Sequence, residues 1–242
     1  LIVRNGGTIE NAHAGATNWK SNDYDAIGGV IQATDAIFRN NRVDVGFATY
    51  QNFAPSKSYI KVGNHSFFRN TEFFSDNDYI EGFPQRDAHV TMWNVDGISF
   101  MNCHFANNVT TDKDNSTAPM RGIYSINAGY KVEAGCDYPF LPVGHPCPSE
   151  DLLKSSFSGF NMAMEASGAS TSYTVRVEQS EFSDNLWNIL IEEMDNVSIN
   201  RNEIEVADAG YTLTGSNTGA GIVIYASTGY IVEENTLTTN FS

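Results

Sequence analysis

The sequence predicts an all-β solenoid of about eight stacked coils, and three observations predict it. First, a short pattern recurs: "AIFRNNRV" ending at Val43, "SFFRNTEF" at Phe73, "ISFMNCHF" at Phe105, "LLKSSF" at Phe157, "VRVEQSEF" at Phe182, "VSINRNEI" at Ile204 and "YIVEENTL" at Leu237. A recurrence every 20 to 50 residues, roughly, is the mark of a repeat architecture. Second, apolar and polar residues alternate with period two, and β-branched or aromatic residues fill the apolar slots, so the units are strands. Third, the residue two before each terminal apolar one is small or polar: Asn41, Thr71, Cys103, Ser155, Ser180, Asn202 and Asn235.

Each element follows from these. The residue five before the terminal one is also apolar (Phe38, Phe68, Phe100, Leu152, Val177, Ile199, Val232). Between the two lies a tight bend, where a large side chain does not fit. Asn, Thr and Ser there can bond from coil to coil. Upstream of most copies stands a further strand with its turn: "GGVIQATDA", "SYIKVGNHS", "AHVTMWNVDG", "WNILIEEMDN" and "GIVIYASTG". Turn positions fall to Thr34-Asp35, Asn64-His65, Asp96-Gly97, Asp195-Asn196 and Thr228-Gly229, residues that tolerate sharp backbone angles. One coil then reads strand, turn, strand, tight bend, short strand, loop. The interval from Phe105 to Phe157 is twice the usual length and is expected to hold two coils. Inserts are expected at 10–26, 44–58, 106–120, 134–150 and 207–220, and residues 1–9 read as a ladder segment already in progress. Eight coils at ~4.8 Å each give a stack roughly 38 Å long.

With "FRNNRV", "INRNEI" and "VEENTL" as asparagine-ladder segments, the chain resembles right-handed, single-stranded parallel β-helix proteins of the pectate-lyase-like superfamily, of the bacterial secreted or surface type. The resemblance runs from Leu1 to about Leu237. It implies one β-helix domain over 1–242. Because both ends look uncapped, the chain is expected to be a fragment of a longer protein, or to be covered by a flanking domain, a secretion-machinery component or another partner. Enzymes, adhesins and phage spikes share this fold, so the resemblance fixes no activity.

Charge narrows the partners. With 14 Lys+Arg against 29 Asp+Glu the net charge is -15, which argues against nucleic acid and anionic lipid. No apolar run approaches the ~20 residues that cross a bilayer, so membrane insertion is not expected. Cys136 and Cys147 bracket the Pro/Gly-rich "CDYPFLPVGHPC" and read as a loop-closing disulfide, with two ordinary thiols as the alternative. A disulfide places the chain in an oxidising compartment, hence secreted or on the cell surface. Cys103 falls in the ladder column and reads as a small core residue.

For chemistry, the strand alternation puts Lys61, Thr91, Trp93, Leu190, Glu192, Val223 and Tyr225 on an outer sheet face, with Tyr124 and Glu165 added by analogy. Lys61, Trp93, Tyr124 and Tyr225 are the ligand-binding candidates: rings stack on pyranose faces, and carboxylates accept hydroxyl hydrogen bonds. Glu165 and Glu192 are the candidate carboxylate pair of a glycosidase, and Arg121 is the candidate catalytic cation. Asp112 and Asp114, with Asn115, offer oxygen ligands for calcium, and Asp23/Asp25 and Asp76/Asp78 are similar acidic loops. The five His are dispersed and form no triad with Ser and Asp. The sequence carries none of the N-T-D, D-D, G-H-G and R-I-K elements of polygalacturonase-like β-helices, nor the W-I-D-H and R-x-P-x-x-R contexts of pectate lyases. The expectation is therefore a secreted or surface module with a structural or adhesive role that binds polysaccharide or cell-surface glycan on its exposed sheet. The alternatives are a polysaccharide lyase or glycoside hydrolase with non-standard residues, and a section of a phage tail spike.

Overall fold

In the computed structural model the strands of the described residues pair almost entirely in parallel. The residues described are 1–12, 14–19, 29–48, 62–78, 88–109, 121–137, 147–168, 173–206 and 219–239. They form one 15-stranded sheet and one 7-stranded sheet, each paired in parallel throughout, and one short antiparallel pair, Gly135–Cys136 with Leu152–Leu153. Among the described residues the only helical element is the single turn Ser149–Asp151. This is an all-β architecture compatible with a solenoid.

Strand register makes the repeat concrete. In the large sheet one inward column runs Val3, Ala33, Phe68, Phe100, Val132, Val177, Ile199, Val232. A second runs Ile9, Phe38, Phe73, Phe105, Phe157, Phe182, Ile204, Leu237. The seven-stranded sheet contributes Ala16, Val45, Val90, Ile123, Met164, Ile189 and Ile222. These three columns face one continuous apolar core, except at the last rung, where Val232 and Leu237 are exposed. In the second column five phenyl rings stack nearly parallel, with centroids 5.1, 4.7, 4.5 and 4.9 Å apart from Phe38 to Phe182. Phe68 and Phe100 stack at 5.0 Å in the first column and meet the second edge-on. Such arrangements add roughly 0.5–1.5 kcal/mol per pair beyond the area they bury.

The bend between the two columns is built from two adjacent residues. The first takes a left-handed backbone (Asp35, Asn70, Asn102, Gln179, Arg201 and Glu234, φ 49 to 56°). Asn and Asp tolerate this conformation best; Asn102 Nδ2 donates to Asn70 Oδ1 (2.8 Å), and Asn70 Nδ2 donates to Asp35 Oδ1 (3.1 Å). The second is the small ladder residue. Cys103 N–H donates to Ser155 Oγ (3.0 Å), Ser180 N–H to Asn202 Oδ1 (3.0 Å), and Asn202 N–H to Asn235 Oδ1 (2.9 Å), so the side chains of Ser155, Asn202 and Asn235 each satisfy the main chain of the rung before them. Cys103 is fully buried, and burial pushes its thiol up to about 12. At another corner Gly159 has φ 78°, and a Cβ there would sit 2.3 Å from the Asn107 carbonyl oxygen, so only glycine fits.

Four expectations are corrected by register. Phe38 pairs with Phe73, so the first repeat ends at Phe38 with Ala36 in the small position; Asn41 lies beyond it, and Val43 begins the strand Val43–Ala48. The apolar partner of Phe100 is Val132, not Leu152, and Phe105 pairs directly with Phe157, so the long interval is one rung with insertions, not two coils. Gln32–Thr34 pairs with Phe67–Arg69 in the large sheet instead of belonging with Ala88–Trp93. The expected inserts 10–26 and 44–58 contain the strands Ala14–Trp19 and most of Val43–Ala48, so the insertions begin later.

One corner carries a titrating clamp. Arg39 donates to Asp76 Oδ2 (3.1 Å through Nε) and to Asp78 Oδ2 (2.9 Å), while Asn40 donates to Asp76 Oδ1 (2.7 Å). Partial burial raises the Asp76 carboxyl, but the bonds from Asn40 and the Asp78 N–H and the Arg39 charge outweigh it and hold it below the usual value. A depressed native value stabilises the fold above the unfolded carboxylate value of ~3.9 and stops doing so as pH falls through the native one. Asp76→Asn is therefore expected to cost up to about 1 kcal/mol at pH 7. The gap in melting temperature from wild type should close on acidification below about pH 4. A gap of constant size down to pH 2, roughly two units below that reference, would refute the clamp.

Candidate functional site

The outer face of the seven-stranded sheet gathers most of the described candidates. Its strands share an irregular six-residue pattern, seen in Arg121–Ile126, Met162–Ser167 and Trp187–Glu192: positions one, four and six face outward, and two, three and five face the core. Register then generates three outward rows. Row one contains Arg121, Met162, Trp187 and Ala220; row four contains Thr91, Tyr124, Glu165, Leu190 and Val223; row six contains Trp93, Ile126, Ser167, Glu192 and Tyr225.

The pattern brings Arg121, Tyr124 and Glu165 together. Tyr124 and Glu165 are register partners, and Arg121, three residues before Tyr124, lies with its guanidinium carbon 4.7 Å from the Tyr124 ring centroid. Arg121 Nε donates to Glu165 Oε2. The pair is mostly shielded, with side-chain exposures of 25% and 16%. A guanidinium held between a carboxylate and a ring face is fixed in orientation, and its ring contact adds roughly 0.5–1 kcal/mol. Glu192 stands on the next strand, two residues further along than Glu165's partner Leu190, so the two Cα atoms lie on a diagonal of about 8 Å. Four strand spacings, about 19 Å, separate Trp93 from Tyr225. Tyr225 is 63% exposed, whereas Trp93, Tyr124 and Glu192 are half-buried. Thr91 keeps its place in outward row four but is 7% exposed and therefore buried there.

Trp187 and Met162, in the same face, were not among the sequence candidates. Their signal was the six-residue alignment "RGIYSI", "MAMEAS", "WNILIE", which a strict period-two reading breaks after the first residue.

Lys61, Asp112, Asp114, Asn115, Asp23 and Asp25 lie outside the described residues. Asp76 and Asp78 carry the Arg39 guanidinium. No group of three or more His, Cys, Asp or Glu that could hold a metal occurs among the described residues. Cys136 and Cys147 are joined, with Cα atoms 5.9 Å apart. Two histidines have polar partners in separate places: His89 lies against Asp44 inside the core, and His104 Nδ1 lies 2.9 Å from Ser156 Oγ on the outside of the large sheet. They make no Asp–His–Ser relay. No helix of the described residues is long and apolar enough to cross a membrane. Compared with protein-family models, with curated proteins and with solved structures, the chain matches none.

Proposed function

We propose that the chain is a right-handed parallel β-helix module of the pectate-lyase-like kind, displayed outside the cell, that binds polysaccharide along the outer face of its seven-stranded sheet. The observation that carries this reading is the shared face itself. Arg121 is clamped between Glu165 and the Tyr124 ring, and Trp93, Glu192 and Tyr225 line the neighbouring row. Rings at the two ends of that row, four strand spacings apart, and Tyr124 in the row beside it offer stacking platforms, and fixed polar groups between them take hydroxyl hydrogen bonds. A pyranose is about as long as one strand spacing, so a linear glycan laid along the row meets a new side chain at each sugar. The Cys136–Cys147 bond supports an oxidising compartment.

Binding, not turnover, is the reading, because Glu165 already serves Arg121, and among the described residues only the diagonal to Glu192 favours a hydrolase. A glycan array on the purified chain tests it, with Trp93→Ala and Tyr225→Ala beside wild type. Each substitution is expected to weaken a detected glycan about five- to thirtyfold, the effect of removing one stacking ring worth about 1–2 kcal/mol. Detected binding that both variants leave untouched would sink the proposal. Release of reducing or unsaturated ends from a bound glycan would favour the enzyme reading instead.

A further inference from the structure

The charge on this face bears on which glycan it takes. Resting on the binding reading above, the geometry points to a ligand that carries ammonium groups, a polymer of amino sugars with free amines. Among the described residues of the three outward rows the ionisable side chains of full charge are Arg121, Glu165 and Glu192. The one cation is spoken for: its Nε is on Glu165 and its plane lies by the Tyr124 ring. What the rows present beyond that pair is the Glu192 carboxylate, with Ser167 beside it on one strand and Tyr225 on the other.

A carboxylate next to an exposed ring suits a sugar with an amine. The pyranose stacks on Tyr225, and its ammonium meets both the carboxylate and the negative ring face. A uronate or sulfated sugar in the same seat puts its negative charge against Glu192, on a protein of net charge -15, with no unpaired cation on the described face to offset it.

The test is a titration of the intact chain with glucosamine oligomers, with their N-acetylated counterparts of equal length, and with galacturonate oligomers. The free-amine series is expected to bind about five- to tenfold tighter than the acetylated one, the sum of one exposed ion pair and one cation–ring contact. That ratio should shrink towards one in Glu192→Gln and at ~1 M salt, where the screening length is about 3 Å. Glu192→Gln is isosteric and half-exposed, and an unchanged circular dichroism spectrum and melting temperature confirm that it folds. Equal binding of acetylated and free-amine oligomers, or tighter binding of galacturonate, would overturn the inference and leave the glycan face standing. Failure of wild type to bind any of the three series would remove the glycan face itself.

Discussion

Phe105→Ala is expected to destabilise the protein by about 3–5 kcal/mol. Phe105 is fully buried in the middle of the five-ring stack, with Phe73 at 4.7 Å on one side, Phe157 at 4.5 Å on the other, and Phe100 edge-on at 5.8 Å. Removing it costs the transfer energy of the ring, leaves a cavity that two flanking rings in rigid β-sheet cannot close, and breaks two stacking contacts at once. Denaturant titration reads the loss directly. In an arrangement where each rung touches only its neighbours, the damage is also local. Amide exchange should quicken most in Phe67–Ser75 and Ser155–Ser158, and least around Ile204. Phe105→Leu, which keeps most of the volume, should cost under about 1.5 kcal/mol. A loss below about 1 kcal/mol for the alanine variant would mean that the stack does not carry the core.

Much of this stack was legible in the sequence. Phe73, Phe105, Phe157, Phe182, Ile204 and Leu237 were aligned from the pattern alone, and they do share one column. What misled was polar mimicry at a bend. In "AIFRNNRV" Asn41 has the chemistry of a ladder residue, yet the ladder position is Ala36, because Asn41 does a different job at the next corner. Its Oδ1 accepts the Ala12 N–H (2.9 Å), and its Nδ2 donates to the Ile9 carbonyl (2.8 Å). Residue type alone does not separate those two roles, since both satisfy main-chain groups at tight bends. The long interval failed for another reason: an insertion held by the Gly135–Cys136 and Leu152–Leu153 pair puts Leu152 where a coil residue would fall, while the true partner of Phe100, Val132, precedes the insertion. At the candidate site, Trp93, Tyr124, Glu165, Glu192 and Tyr225 came from alternation and do share one face. The joining of Arg121 to Glu165 was not foreseen, because it depends on the irregular step after position one.

The second large effect concerns a pair that no alternation rule anticipates. Asp44 and His89 each stand one residue before the register partners Val45 and Val90 of the seven-stranded sheet, and their side chains are 0% and 1% exposed. His89 Nδ1 lies 2.5 Å from Asp44 Oδ2, while Asp44 Oδ1 accepts from Asn41 Nδ2 (2.8 Å). His89 Nε2 is 3.3 Å from the Ala106 carbonyl oxygen, and its ring meets Phe160 edge-on. Ionisable groups this deep are costly unless paired, and removing one partner leaves the other stranded; Asp44→Ala and His89→Phe are each expected to cost roughly 3–5 kcal/mol. The fold itself supplies the comparison. Later in the same inward row stands Asn188, and Asn185, three residues before it as Asn41 is before Asp44, donates to its Oδ1 at 3.0 Å. An amide therefore serves where Asp44 stands. Asp44→Asn keeps the acceptor for Asn41 and should lose much less than Asp44→Ala, while the double variant Asp44→Asn/His89→Asn should recover part of what a single loss of His89 costs. A double-mutant cycle built on these substitutions is expected to show coupling of at least about 1 kcal/mol, since the two sites share one hydrogen-bond network. Strict additivity would mean that the two residues are buried side by side without depending on each other.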